Sequence, residues 1–208
     1  MKKEYDTAAK LYDPLLYVFL NPIRKAVLNE LGEYKEKAIV DLCCGTGNQL
    51  KILAENDFKS LHCLDISDSM LNIAKQSNFN INIYNEDATK TSFEDERFDI
   101  AIISFAIHEK DRDTQERFLE EAYRILKKDG MLLIVDYDYD KSTSKIVSGF
   151  ITIIERIAGE EHYKNYRNYI LNNGLLSLIN NEKFQLVKKN RRSFNGVSIS
   201  TYKKKATN

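Results

Sequence analysis

The sequence predicts an α/β fold built on a doubly wound, mainly parallel sheet. Three observations carry this expectation. Five short apolar runs alternate with helical patterns through the middle of the chain. Those runs are continuous rather than polar/apolar alternators, as in Ile100-Ala101-Ile102-Ile103, which is expected of strands covered on both faces. The strand–helix–strand spacing is that of βαβ units, whose crossovers stack helices on the two faces of a parallel sheet.

The elements follow in order. Residues 4–31 read as a helical cover, with breaks suggested at Asp13-Pro14 and Asn21-Pro22. Strands are expected at Ala38–Cys43, Leu61–Asp65, Ile81–Tyr84, Phe98–Phe105 and Met131–Asp136. Helices are expected at Asn48–Glu55, at Ser67–Gln76 with Ser67 or Asp68 as N-cap, and at Thr114–Lys128. In the last of these, Phe118, Leu119, Ala122, Tyr123, Ile125 and Leu126 share a face, and Gly130 lies just beyond. Residues 142–181 carry a second helical region, interrupted near Gly159 and Asn172-Asn173-Gly174. Phe184–Lys189 and Val197–Tyr202, joined through Asn195-Gly196, read as a closing hairpin. Five parallel-type strands plus a hairpin predict a seven-stranded sheet of order 3-2-1-4-5-7-6, with the last-formed strand antiparallel. With no repeat and no linker, residues 1–208 are expected to form one domain: cover (1–35), core (36–140), helical lid (141–182) and terminal hairpin (183–208).

Composition narrows the class. A chain of 208 residues with 43% apolar and 30% charged residues and only two prolines buries a real core, which excludes disordered and collagen-like classes. Net charge is zero, so no global basic field recruits phosphate, and no expectation of nucleic-acid binding arises. The distribution is uneven, however: residues 1–140 hold 18 Lys/Arg against 27 Asp/Glu, and residues 141–208 hold 13 against 4. Either the two parts neutralise each other or the basic segment attracts an anionic substrate or surface. No apolar run approaches a membrane span, and the first residues lack the apolar core of a signal peptide. Cys43 and Cys44 are adjacent and Cys63 leaves an odd count, so no disulfide framework is expected and a reduced, cytoplasmic setting follows.

The informative segment is Ile39-Val40-Asp41-Leu42-Cys43-Cys44-Gly45-Thr46-Gly47-Asn48-Gln49-Leu50. A buried strand enters a glycine turn and then a helix whose N-terminus offers free N–H groups. Asp65, 24 residues after Asp41, closes the second strand where a carboxylate can accept ribose hydroxyls. A nucleoside-bearing ligand is implied. A dinucleotide fingerprint needs a third glycine where Leu50 stands, which disfavours NAD. Asp41, at the strand end, suits a ligand that carries positive charge and no phosphate.

At these residues the sequence resembles the class I S-adenosylmethionine-dependent methyltransferases, in the flavour of the ubiquinone/menaquinone-biosynthesis enzymes. Asp41-Leu42-Cys43-Cys44-Gly45-Thr46-Gly47 resembles their first motif and Leu64-Asp65-Ile66-Ser67 with Met70-Leu71 the second. Asn85-Glu86-Asp87-Ala88 resembles the third, Phe98-Asp99-Ile100-Ala101 with Phe105-Ala106-Ile107-His108 the fourth, and Leu126-Lys127-Lys128-Asp129-Gly130-Met131-Leu132 the turn before strand five. The resemblance covers about residues 36–140. Cys43 replaces the first glycine of the motif, and Lys128-Asp129-Gly130 lacks a proline and one glycine.

The resemblance implies a Rossmann-like fold, S-adenosyl-L-methionine as cofactor, and a set of roles. Asp41 with the backbone of Cys43, Gly45 and Gly47 would hold the methionine end. Asp65 would take the ribose hydroxyls, Ile66 and Met70 would line the adenine, and Asp87 and Ala88 would meet its edge. Ser104 and Phe105 would face the methyl group. In-line displacement at a sulfonium-activated carbon needs alignment, exclusion of water and sometimes a base. His108, beyond strand four, and His162, in the tyrosine-rich stretch with Tyr163 and Tyr166, are the candidate bases, and His62 reads as structural. Tyr5 and Tyr12 of the cover are the candidate partners closing over the acceptor. No metal-ligand spacing occurs. The expected acceptor is a small molecule and the expected state a monomer or homodimer. A protein or nucleic-acid methyltransferase is the alternative, although no Asn-Pro-Pro-Tyr-like motif stands at Ser104-Phe105-Ala106-Ile107; a non-catalytic cofactor-binding subunit is another.

Overall fold

The structure, a computed structural model, describes residues 19–206. Residues 19–31 are helical (α1), without the interruption suggested at Asn21-Pro22. There follow β1 (Ala38–Leu42), α2 (Asn48–Ala54), β2 (Ser60–Asp65), α3 (Asp68–Ala74), β3 (Ile81–Asn85), β4 (Phe98–Ser104), α4 (Arg112–Ile125) and β5 (Leu126–Tyr137). Three helices, α5 (Lys145–Ala158), α6 (Glu160–Leu171) and α7 (Leu175–Leu178), lead to the hairpin β6 (Phe184–Arg192) and β7 (Val197–Lys204). The strands form one sheet in the order β3-β2-β1-β4-β5-β7-β6. β1 to β5 pair in parallel, and β7 pairs antiparallel with both β5 and β6. This is the expected Rossmann-like sheet with its antiparallel strand inserted next to β5.

The continuous apolar runs behave as predicted from two-sided burial. Ile39, Val40, Ile102, Ile103, Leu133 and Ile134 are all wholly buried. Three boundaries moved for local reasons. α4 starts earlier because Asp111 caps it, accepting from the Thr114 N–H at 3.0 Å. It also stops earlier, because Leu126 already pairs with Phe98 and the segment to Gly130 bulges out of the ladder before Met131 pairs with Ile100. The closing turn is wider than the two-residue Asn195-Gly196 turn. It spans residues 193–196, with Ser193, Phe194 and Asn195 all at positive φ.

The uneven charge resolves into pairing between the two parts of the chain. Lys188 meets Glu30 at 2.8 Å, Lys189 and Arg191 meet Asp138 at 2.6 and 3.1 Å, and Lys203 meets Asp129 at 3.0 Å. Lys183 is paired with Glu120. Part of the basic segment thereby pairs with acids of the first 140 residues. His62 is structural: it is buried between Tyr84 and Phe98, with Ser60 at 3.2 Å and Tyr84 at 3.1 Å. Burial, helped by nearby Arg97, pushes its pKa down to about 4, so it stays neutral.

Candidate active site

Parallel strands place their carboxyl ends along one edge of the sheet, and α/β ligand crevices open where the strand order reverses. Here that point lies between β1 and β4. A cavity of about 190 Å³ sits there, lined by the glycine loop after β1, by Ser104 and Phe105 at the end of β4, by Val135, by Met70, and by α1. The volume is below the roughly 300–1,000 Å³ of a typical ligand pocket, so it suits one end of a ligand whose remainder lies toward β2.

The loop conformation is enforced by backbone geometry. Gly45 and Gly47 adopt φ of 54° and 73°, and a Cβ on Gly47 would stand 3.2 Å from the Ala74 Cβ. Cys43 and Phe105 also lie at positive φ, 69° and 52°, at the ends of β1 and β4. Both of these non-glycine residues in a costly conformation line the cavity.

Asp65 fixes the loop from the side. One carboxylate oxygen accepts from the Gly45 N–H at 2.8 Å and the other from the Ser67 N–H at 2.9 Å. Burial raises its pKa, against the lowering effect of those two bonds. Each oxygen keeps a lone pair for a further donor. Asp41 is more unusual. It is buried on the cavity wall, and its Oδ1 has no hydrogen-bond partner. Burial first, then repulsion from Asp65, pushes its pKa up to about 8, with the Arg24 guanidinium pulling the other way. A buried carboxyl left without a donor is expensive unless a ligand supplies one. The Ser104 Oγ is a second buried polar atom without a partner on the same wall.

A helical cover was expected, but not the residues of α1 that line the cavity. α1 contributes Leu20, Ile23, Arg24 and Val27, and α2 contributes Asn48 and Gln49, whose Nε2 donates to the Arg24 carbonyl at 3.3 Å. The apolar spacing Leu20, Ile23, Val27, Leu31 was the available signal for an α1 face turned inward. Tyr5 and Tyr12 lie outside the described residues.

Of the expected site residues, Asp41, Cys43, Gly45, Met70, Ser104 and Phe105 line the cavity. Ile66 is exposed beside Asp65. Asp87, also exposed, accepts from the Thr89 N–H and hydroxyl, both at 2.8 Å, and Ala88 is buried.

Neither His108 nor His162 lines this cavity. His108 is buried between carboxylates: its Nδ1 is 2.6 Å from Asp136 and its Nε2 is 3.5 Å from Glu155. Burial opposes its charge, but Asp136 and Glu155 outweigh it and push the pKa up to about 10. The two carboxylates thus favour the charged imidazole. Glu155 also accepts from the Tyr137 hydroxyl at 2.8 Å, so the cluster ties α5 to the end of β5. His162 faces Glu109 at 3.4 Å. The tyrosine stripe is packing rather than pocket. Tyr166 is buried against Tyr139 and Thr152, and Tyr163 receives a hydrogen bond from Arg156 at 3.0 Å. No residue of 141–182 lines this cavity.

The cysteines also differ from expectation. Cys44 and Cys63 form a disulfide, with Cα atoms 5.5 Å apart. Cys63 stands on β2 in register with Asp41 of β1, which brings the loop cysteine beside it. Spacing along the chain could not show that proximity, and the inference of reduced thiols therefore fails for this pair. Cys43 is free, and burial with nearby Asp65 keeps its thiol protonated.

A parallel sheet with an antiparallel strand next to β5, a glycine turn after β1 and an acid after β2 defines the class I nucleoside-binding methyltransferase architecture. Residues 39–130 match the family model of methyltransferase domains, and the sheet has the strand order of the class I S-adenosylmethionine-dependent methyltransferases that the sequence resembles. Among its relatives, demethylmenaquinone methyltransferase of Bacteroides fragilis is 29% identical over 148 residues, covering 65% of this chain and 59% of that protein. The ubiquinone/menaquinone biosynthesis C-methyltransferase of Campylobacter jejuni is 28% identical over 184 residues, covering 81% and 74%. A SAM-dependent methyltransferase from Thermotoga maritima, 21% identical, superposes with a TM-score of 0.65 over 99% of this chain and all of that one, a likeness of fold. The chain spans about three fifths of the length of the Bacteroides relative.

Proposed function

We propose that this chain transfers a methyl group from S-adenosyl-L-methionine to a small-molecule acceptor, working as one domain whose cavity receives the methionine end of the cofactor. The observation that carries this reading is the buried Asp41 carboxyl, whose Oδ1 has no hydrogen-bond partner, in a cavity that is also lined by Arg24. An amino-acid moiety brings both an ammonium and a carboxylate. Asp41 would take the first and Arg24 the second. The glycine loop, with Gly45 and Gly47, gives close backbone approach. Asp65 keeps the loop in place and offers its remaining lone pairs to the ribose, and Asp87 and Ala88 extend the site toward the base beside Ile66 and Met70.

Bound S-adenosyl-L-methionine supplies a methyl carbon already activated by the neighbouring sulfonium. The chain contributes alignment and dryness: Leu20, Ile23, Val27, Phe105 and Val135 wall off water, and the Ser104 hydroxyl stands free to orient a polar group. With His108 held as an imidazolium, no base among the described cavity residues is required by this account. The relatives' names point to a quinone-type acceptor methylated at carbon, and we take that as the acceptor class to try first. Replacing Asp65 by alanine is expected to weaken S-adenosylhomocysteine binding by about 1–3 kcal/mol and also to loosen the loop, since two backbone N–H groups lose their acceptor. Calorimetry checks this; unchanged affinity would remove Asp65 from the site. Activity is tested by incubating the protein with labelled S-adenosyl-L-methionine and demethylated quinones, with small amines and phenols as controls. Label appearing in none of these acceptors, despite cofactor binding, would contradict the small-molecule reading.

A further inference from the structure

α5 carries an apolar stripe that points away from the molecule. Ile146, Phe150, Ile153 and Ile157 are 84, 50, 58 and 78% exposed. Their spacing of four, three and four residues places them on one face. The opposite face supplies Ile151 and Glu155 to the interior. Beside the start of α5, the closing turn of the β6–β7 hairpin adds Phe194, 80% exposed, whose carbonyl accepts from the Ser144 N–H at 3.3 Å. Four large apolar side chains thus share one exposed face of α5, with Phe194 exposed on the turn beside its start, and an exposed apolar face of this kind marks an interaction site.

The charges around the stripe are polar along the helix. Lys141 and Lys145 stand at its N-terminal end. At its C-terminal end the chain reverses at Gly159 into α6, which runs back along α5, as the Thr152–Tyr166 and Arg156–Tyr163 contacts at 3.2 and 3.0 Å establish. The reversal leaves Glu160 and Glu161, both exposed, at that end. The Arg156 guanidinium is turned onto the Tyr163 ring at 4.7 Å.

We propose that this face is the seam of a two-fold dimer formed by a second copy of this chain. Laid antiparallel on itself, the stripe is self-complementary: Ile146 meets Ile157 of the second copy, and Phe150 meets its Ile153. The same alignment brings Lys141 and Lys145 alongside Glu160 and Glu161 of the second copy, twice by symmetry. An isologous interface requires this kind of self-matching. An anionic membrane fits less well, because Glu160 and Glu161 would be pressed against like charge at one end of the stripe.

The test is the mass of the full chain by light scattering and sedimentation across a concentration series. The expected species has twice the 24.1 kDa of the chain. Ile153→Asp, at an exposed position, is expected to raise the dimer dissociation constant by about tenfold or more, with an unchanged circular-dichroism spectrum; Ile157→Asn serves as the second variant. Lys145→Glu alone should weaken the dimer, and Lys145→Glu combined with Glu160→Lys should restore it, which a merely exposed face would not show. A wild-type chain that stays monomeric, or a dimer untouched by both stripe variants, would overturn the proposal. So would a monomer that co-sediments with phosphatidylglycerol vesicles only when Ile153 is intact, which would assign the face to a membrane.

Discussion

His108→Ala is expected to cost about 3–5 kcal/mol of stability, the penalty for leaving buried carboxylates without their cation. Asp136 and Glu155 are both almost wholly buried, and His108 is the only histidine between them. In a chain of this size the loss corresponds to a fall in Tm of roughly 6–20 °C. The pH dependence has a definite sign. His108 has a pKa of about 10 when folded, against about 6.5 unfolded. Its contribution is therefore complete below pH 6.5 and is lost as pH rises toward 10. Glu155 adds the acid limb: burial opposes its charge, but His108 and Tyr137 hold its pKa below the usual value, so its contribution disappears as pH falls through that lowered range. Thermal melts of wild type and His108→Ala across pH check both limbs, and the difference between the two proteins should shrink toward pH 10. Well below its Tm the variant should still bind S-adenosylhomocysteine, because His108 anchors α5 to β5 and does not touch the cavity. A variant with wild-type stability but abolished turnover would instead restore His108 as a base.

The second large effect belongs to Asp41. Asp41→Asn is expected to weaken S-adenosylhomocysteine binding by roughly 1.5–3 kcal/mol, the range for a charge-assisted hydrogen bond. The pH profile distinguishes this from ordinary damage. With a pKa of about 8, the free carboxyl is mostly protonated at neutral pH. A ligand ammonium binds its ionised form, so affinity should rise about tenfold per unit between pH 6 and 7.5 and level off above 8. The asparagine variant should show a flat profile in the same range. Affinity falling as pH rises through 7 would mean that the cavity takes an anion or an uncharged group at Asp41.

Much of this was legible because it is written locally. Continuous apolar runs gave the strands, and the Asn195-Gly196 hairpin gave the inserted antiparallel strand, although the turn itself proved wider. Asp41, the glycine turn and Asp65 were readable because a strand end fixes where its last side chain points. What escaped notice depends on neighbours distant in sequence. His108 stood where substrates enter this fold, but its chemistry is set by Asp136, 28 residues on, and Glu155, 47 residues on. Cys44 and Cys63 are brought together by the β1–β2 register rather than by spacing. The cavity roof was sought among tyrosines, yet α1 supplies Arg24 and an aliphatic face. The tyrosine stripe of α6 had a helical period that fits packing as well as a pocket, and burial decided for packing in Tyr166 and Tyr169.

The central claim is that the cavity at the ends of β1 and β4 receives the amino-acid end of S-adenosyl-L-methionine on Asp41. Titration calorimetry of the full chain with S-adenosylhomocysteine at pH 7, repeated in buffers of different ionisation enthalpy, tests it most directly. The account predicts one-to-one binding accompanied by release of close to one proton, with that release absent in Asp41→Asn. No binding, or binding without proton release and with the same affinity in Asp41→Asn, would contradict it.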